Sequence, residues 1–316
     1  MSHAWMPSSP CGERCLPTDH PHSHRGQVML RWTALVLVLV ASPALVLMRF
    51  LPPRSKEKVV RVGARILLNA LGIRLETSGV DRLGDGELIV AGHVSWVDVL
   101  ALAAVAPGSF VARGDLIEWR LLGTVARRMR VIALHRELLH SLPGVVGEVS
   151  KRLSAGERVV VFPEGTTWCG RAYGSFRPAM FQAAIDADRP VRPIGVEYRL
   201  ADGSVTTGTS FIGEETIGQS IARIIRLRGI TASLRIEALE YPGDCRRELA
   251  RRSELAVRGG VIDLAARNLV DPSLERTAAA PLERTAAPLG RTAAAPLGRT
   301  TTASLVRAGI VDAKVA

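Results

Sequence analysis

Two short stretches carry the side chains with which this chain could do chemistry. In GHVSWVDVL, residues 92–100, His93 stands five residues before Asp98. The run reads as a strand, Leu88–Ala91, entering a helix with Ser95 as N-cap and Asp98 as the third helical residue. Two residues five apart inside a helix point about 140° away from each other. His93 sits before the helix, in extended chain, so its ring can fold back on Asp98. The carboxylate then accepts from one imidazole nitrogen and fixes the tautomer, which leaves the other nitrogen as a base near neutral pH. None of the other histidines has an aspartate five residues on. In VVVFPEGTTW, residues 159–168, a buried strand runs into Pro163, Glu164, Gly165 and Thr166. Gly165 permits a tight turn with free backbone N–H groups, and these, with the threonine hydroxyls, can hold an anionic oxygen. The plainer readings are that Asp98 only caps a helix and that Glu164 is a solvated turn residue.

The elements around these stretches alternate from residue 82 to 245. Strands fit Leu88–Ala91, Ser109–Ala112, Arg130–Leu134, Arg158–Phe162 and Val191–Tyr198, with another at Ser233–Leu239. Helices fit Val97–Ala106, Ile117–Arg128, Leu138–Leu153 and Ala179–Ala187. The pattern predicts an α/β fold with a mixed, largely parallel sheet flanked by helices. His93, Arg113, Arg136 and Glu164 then fall at or just beyond the ends of four strands. Ligands of such sheets bind outside the carboxyl ends of the strands. If the strands are parallel, one base, one acid and two arginines gather at one edge.

GHVSWVD, Arg136, FPEGTT and PVRPIG at 190–195 occur in the order and rough spacing of the glycerolipid acyltransferase family, which includes the 1-acylglycerol-3-phosphate acyltransferases. The chain resembles that family over about residues 60–260, and residues 110–136 are similar to its second block. The resemblance implies the glycerol-3-phosphate acyltransferase-like fold and acyl transfer from acyl-CoA or acyl carrier protein to a lysolipid hydroxyl, with 1-acylglycerol-3-phosphate the leading acceptor. It implies His93 as general base and Asp98 as its orienting carboxylate, with the substrate hydroxyl where a hydrolase triad has its serine. No GxSxG elbow accompanies them, and Cys169 beside FPEGTT reads as a small loop residue rather than a nucleophile. Arg136, Glu164, Gly165 and Thr166 are implied to bind the acceptor's phosphate, which an arginine can meet bidentately. Arg113 stands where many members have lysine, and Arg177 fits a basic position of the family. The chain departs at Thr167, where relatives acting on lysophosphatidic acid often have arginine, at Gly92, where asparagine is frequent, and at Ala179, where glycine is common. Those departures keep a lyso-ornithine lipid or a lysophospholipid with a larger head group open as acceptor. No cofactor or metal is expected.

The rest of the chain suggests a membrane. Trp32 to Met48 carries no charge and holds Pro43. As a helix it would span about 25 Å, short of a hydrocarbon core of ~30 Å. It reads as a spanning helix or a half-inserted anchor, less well as a signal peptide behind so long a leader. Arg49, Arg54, Lys56, Lys58, Arg61 and Arg65 follow it, which by the positive-inside rule places the catalytic domain on the cytoplasmic face. Residues 57–71 read as an amphipathic helix, with Val59, Val62, Ile66 and Ala70 on one face, suited equally to an anionic bilayer surface or to packing on the next domain. The net charge is +11, most of its excess lying between residues 32 and 270 rather than in the tails. Aromatic residues at 4% and the lack of a nucleic-acid motif argue against nucleic acid as the anionic partner. Four cysteines without a CxxC pair exclude a disulfide scaffold. Residues 1–27, with Cys11, Cys15, His20, His22 and His24 at no standard ligand spacing, read as a disordered leader. Residues 28–72 form the anchoring region, 73–270 the catalytic domain and 271–316 a repetitive Ala/Pro/Thr/Arg tail. Two other functions fit parts of this pattern: a thioesterase, with water as acceptor, and a non-catalytic membrane-binding protein.

Overall fold

The computed structural model describes residues 7–18, 21–41, 50–80, 82–114, 130–135 and 138–262. Arg136, the helix expected at 117–128, residues 42–48 of the apolar segment and the repetitive tail lie outside them. The described strands are β1 (Ile73–Gly79), β2 (Leu88–Ala91), β3 (Ser109–Arg113), β4 (Ile132–Leu134), β5 (Val159–Val161), β6 (Val191–Arg199) and β7 (Ile230–Ile236). They make one sheet in the order β1-β7-β6-β2-β5-β3-β4. Every neighbouring pair is parallel except β6 with β7. The mixed, largely parallel sheet expected from the alternation is therefore present.

Strand β2 lies inside the sheet, and all four of its residues are buried. Its side chains alternate between two layers, as strand geometry requires. Ile89 and Ala91 join the layer built by α1 (Arg25–Ala41), α2 (Pro53–Leu71) and α3 (Val97–Val105), through Leu35, Leu68 and Leu102. Leu88 and Val90 join the opposite layer, built by α4 (Leu142–Ser154), α5 (Phe181–Asp186) and, past α6 (Ile217–Arg226) in the chain, α7 (Arg246–Val257), through Leu153, Phe181 and Leu249. Each such aliphatic side chain contributes about 1.5–3 kcal/mol when fully buried. The two layers clamp β2 and β5, and so fix the positions of the loops that leave them.

The structure differs from the sequence expectation in several places. The last strand lies at Ile230–Ile236, three residues before the expected Ser233–Leu239, because it pairs along the whole length of β1. In α2, Ala64, Leu68 and Leu71 face the core, whereas Val62 and Ile66 of the expected apolar face are exposed. The leader over residues 7–18 is not featureless. It folds back on the domain, with a 3₁₀ turn at Glu13–Cys15, a buried Cys11, and the Thr207 hydroxyl donating to the Cys15 carbonyl at 2.6 Å. The partners that hold it are over 150 residues away in the chain, so local composition carries no trace of them.

Helix α1 begins at Arg25, earlier than the apolar run, and is docked rather than detached. Leu35 is buried, and Arg31 donates to the carbonyls of Ile225 and Leu227 at 2.7 and 2.6 Å. Among the described residues no helix is long and apolar enough to cross a membrane.

Candidate active site

Parallel pairing of β2 with β5 delivers the two loops that follow them to the same edge of the sheet. His93 lies in the β2–α3 loop and Glu164 in the turn after β5. The His93 backbone N–H donates to Glu164 Oε2 at 2.9 Å, and the Trp168 N–H donates to the His93 carbonyl at 2.7 Å. The EGTT turn is thus stitched to both sides of the histidine's backbone.

The His93 ring folds back as its spacing predicts. Nδ1 lies 3.0 Å from Asp98 Oδ2. The helix starts at Val97, as its expected range has it, but Trp96 rather than Ser95 precedes it and Asp98 is its second residue, not its third. Ser95 does not act as the residue before the helix; its Oγ accepts from the Val97 N–H at 3.3 Å. Asp98 Oδ2 itself accepts from the N–H groups of Val94 and Ser95 at 2.7 and 2.8 Å. Capping and histidine orientation, alternatives in the sequence, are one arrangement in the fold: the carboxylate that ties down the loop's amides also holds the ring.

The remaining Asp98 oxygen, Oδ1, accepts from the Tyr198 hydroxyl at 2.6 Å. Burial, with the Asp98 charge beside it, pushes the Tyr198 phenol well above its ordinary value, so it stays a neutral donor. Asp98 is fully buried, and these donors compensate its lost hydration. A carboxylate is acceptor-only, so Nδ1 carries the proton and Nε2 is left with its lone pair. The ring stacks on Phe162, centroids 4.0 Å apart, which fixes its plane.

The ring lines a small cleft, open to solvent, whose walls also include Glu164, Trp168, Gly170, Tyr173 and Arg258. Burial pushes the Glu164 carboxyl up, while the Arg258 charge and the His93 N–H pull against that shift. Arg258, just past the end of α7, pairs with Glu164 Oε1 and stacks 4.0 Å over the Tyr173 ring. Its Nε is buried without a partner in the structure. A β-carbon added at Gly92 would come within 3.0 Å of Arg258 Nη1, so the glycine at 92 makes room for this guanidinium. Sequence reading missed Arg258 and Tyr198. Neither belongs to a motif, and both reach the site from elements remote in the chain.

The other expected residues are distributed unevenly. Gly165 sits in the turn with φ +77, which only glycine adopts without strain, and the Arg177 side chain passes beside it. Thr166 is half-buried in the same turn. The Thr167 hydroxyl donates to the Phe211 carbonyl at 2.6 Å, so it braces a loop. Arg113 is exposed at the carboxyl end of β3, on the predicted edge but outside the lining of the cleft. Cys169 is buried against Cys11; hydrogen bonding from Cys11 is the main cause that pulls its thiol down to about 5.

A largely parallel sheet thus presents a His–Asp pair and a Glu-Gly-Thr turn at one edge. The acyltransferase family model matches residues 74–197. The chain is 32% identical over 227 residues to the lyso-ornithine lipid O-acyltransferase of Pseudomonas aeruginosa, covering 71% of this chain and 84% of that one. It is 30% identical over 180 residues to the 1-acyl-sn-glycerol-3-phosphate acyltransferase of Neisseria meningitidis, covering 57% and 70%. The crystal structure of the 1-acyl-sn-glycerophosphate acyltransferase PlsC from Thermotoga maritima shares the fold, with a TM-score of 0.58 at 18% identity over 74% of this chain and 93% of that one. The chain belongs to this acyltransferase family, as its motifs imply.

Proposed function

We propose that the protein moves a fatty acyl group from an acyl thioester to the free hydroxyl of a lysolipid, with 1-acylglycerol-3-phosphate the leading acceptor. The observation that carries this reading is the His93–Asp98 pair at 3.0 Å in the wall of the cleft. His93 Nε2 takes the hydroxyl proton as the acceptor oxygen attacks the thioester carbonyl. A carbon–oxygen bond forms, the carbon–sulfur bond breaks, and the imidazolium returns the proton to the leaving thiolate. Asp98 holds the ring and stabilises its charge, and Tyr198 holds Asp98. Acyl-CoA or acyl carrier protein serves as co-substrate, and the scheme needs no cofactor.

Arg258, with its unpartnered Nε, supplies a cation for the acceptor's phosphate, beside Arg177, the Gly165 turn and Thr166. Arg113 extends the basic character along the same edge, and Arg136 is assigned to the acceptor's phosphate by its motif alone. A lyso-ornithine lipid is the second reading, and the Thr167 hydroxyl favours it by bracing a loop where an arginine would add a phosphate ligand. Membrane association rests on the exposed apolar face of α1, where Met29, Leu30, Leu37 and Val40 are all more than half exposed, and on Val62 and Ile66 of α2. Because α1 also packs on the domain through Leu35 and Arg31, a half-inserted anchor fits better than a helix that spans alone. The basic residues of α2 then meet anionic lipid on the cytoplasmic side.

The test is a panel of lysolipid acceptors offered to the full-length protein with one acyl-CoA. Acceptor-dependent CoA release with a diacyl product supports transfer, and the best acceptor names the head group. Acceptor-independent release would instead mark a thioesterase, and vesicle binding with no turnover from any donor a membrane-binding protein.

A further inference from the structure

The leader and the loop after EGTT bring three thiols together. The sulfurs of Cys11, Cys15 and Cys169 all lie within 4.8 Å of one another. Tetrahedral zinc holds its thiolates at about 2.3 Å, which sets neighbouring sulfurs a little under 4 Å apart, so a small inward shift closes the cluster. The pocket is prepared for a thiolate. The Ala172 N–H points at Cys169 Sγ at 3.4 Å, and the Arg171 N–H is also directed to it. Around the sulfurs, Trp168, Ala172 and Ile212 form an apolar shell, with Leu16 packed on it. Three sulfurs in mutual reach exceed what one disulfide uses. Among the described residues no histidine, aspartate or glutamate joins them, so the donor set is all soft sulfur.

We propose that Cys11, Cys15 and Cys169 bind one thiophilic divalent cation of the zinc type, which clasps the leader onto the active-site loop. Binding takes all three sulfurs as thiolates, any thiol proton still held going to solvent, and forms three metal–sulfur bonds, with water in the fourth position. The expectation of a chain without metal rested on the lack of a CxxC pair or any standard ligand spacing; here the third ligand is supplied from 154 residues downstream of Cys15. The clasp matters to the site by position. Cys169 follows Trp168, whose N–H holds the His93 carbonyl. Four residues before Cys11, the Pro7 ring lies so close to Gly165 that a β-carbon there would meet it at 2.8 Å. The metal thereby fixes the leader across the turn proposed to hold the acceptor.

The experiment uses reduced, chelator-stripped, full-length protein titrated with Co²⁺ and then Zn²⁺, with no lysolipid or thioester present, so its outcome is independent of the acyl-transfer reading. The expected result is a thiolate-to-cobalt charge-transfer band that saturates near one equivalent per chain and is bleached by Zn²⁺. The band is lost in Cys11→Ser and Cys169→Ser, is lost or much weakened in Cys15→Ser, and is kept in Cys245→Ser, whose cysteine is exposed and remote from the cluster. Should a variant fail to fold, hydrogen exchange on the unmodified protein gives the second reading: Zn²⁺ slows exchange at residues 11–16 and 169–172 together. Absence of the band, its survival in Cys11→Ser, or exchange unaltered by Zn²⁺ overturns the proposal. So does a Cys11–Cys169 disulfide found by peptide mapping in protein that takes up no Co²⁺, which would make the pair a redox clasp.

Discussion

Two buried acid–arginine pairs stand at opposite ends of the sheet. At the amino end, Arg192 of β6 grips Glu87, just before β2, with two parallel bonds of 2.8 and 3.1 Å. The Gly84 N–H also donates to Glu87, and Arg192 donates to the Glu237 carbonyl. At the carboxyl end, Glu164 meets Arg258 through a single guanidinium nitrogen, and among the described residues the buried Arg258 Nε has no partner. The first pair is saturated and sealed, with side chains 6% and 3% exposed; the second opens on a cleft beside His93. The same chemistry therefore pins strands at one end and lines an open cleft at the other.

Substitutions sharpen that contrast. Asp98→Asn keeps volume and can keep an oxygen on Nδ1, Val94 and Ser95, but it removes the negative charge that stabilises the imidazolium. In steady-state assays kcat is expected to fall by roughly 10⁴-fold with thermal stability much less affected. Arg192→Ala acts in the opposite sense. It strands Glu87 in the core, and chemical denaturation is expected to show a loss of about 3–5 kcal/mol, while activity per folded molecule is kept. Arg258→Lys retains the charge beside Glu164 but not the fork or the stack on Tyr173. Its predicted signature is a roughly tenfold drop in kcat/KM for a phosphorylated acceptor, about 1.4 kcal/mol, carried mainly by KM. Tyr198→Phe removes one donor to Asp98 and is expected to lower kcat several-fold, in line with about 1 kcal/mol for a hydrogen bond. If Arg192→Ala and Arg258→Lys changed stability and KM alike, the two ends would not differ in role.

The legible part of the molecule was the part whose signals are local. Leu88–Ala91 is a continuous apolar run, so β2 and the His93–Asp98 return could be placed to the residue. Strand β1 escaped because IRLETSG sits at the sheet edge with only Ile73 buried, and backbone pairing to β7 rather than an apolar period defines it. Helix α6 was legible in principle: Thr216 and Gln219 form a capping box, and Ile224 and Ile225 are buried behind it. Helix α7 is crowded with arginine and glutamate, and nothing in its own sequence says that the residue after it reaches the cleft. Tyr198, Arg258 and the Cys169 partners were invisible for the same reason. Their meaning lies in contacts between segments far apart in the chain.

The central claim is that His93 is the base. It is tested most directly by His93→Ala in purified full-length protein, assayed for lysolipid-dependent CoA release beside a circular dichroism spectrum. The account predicts a native spectrum with turnover reduced by at least about 10²-fold, the lower bound for losing a positioned general base; a folded variant with full turnover would contradict it.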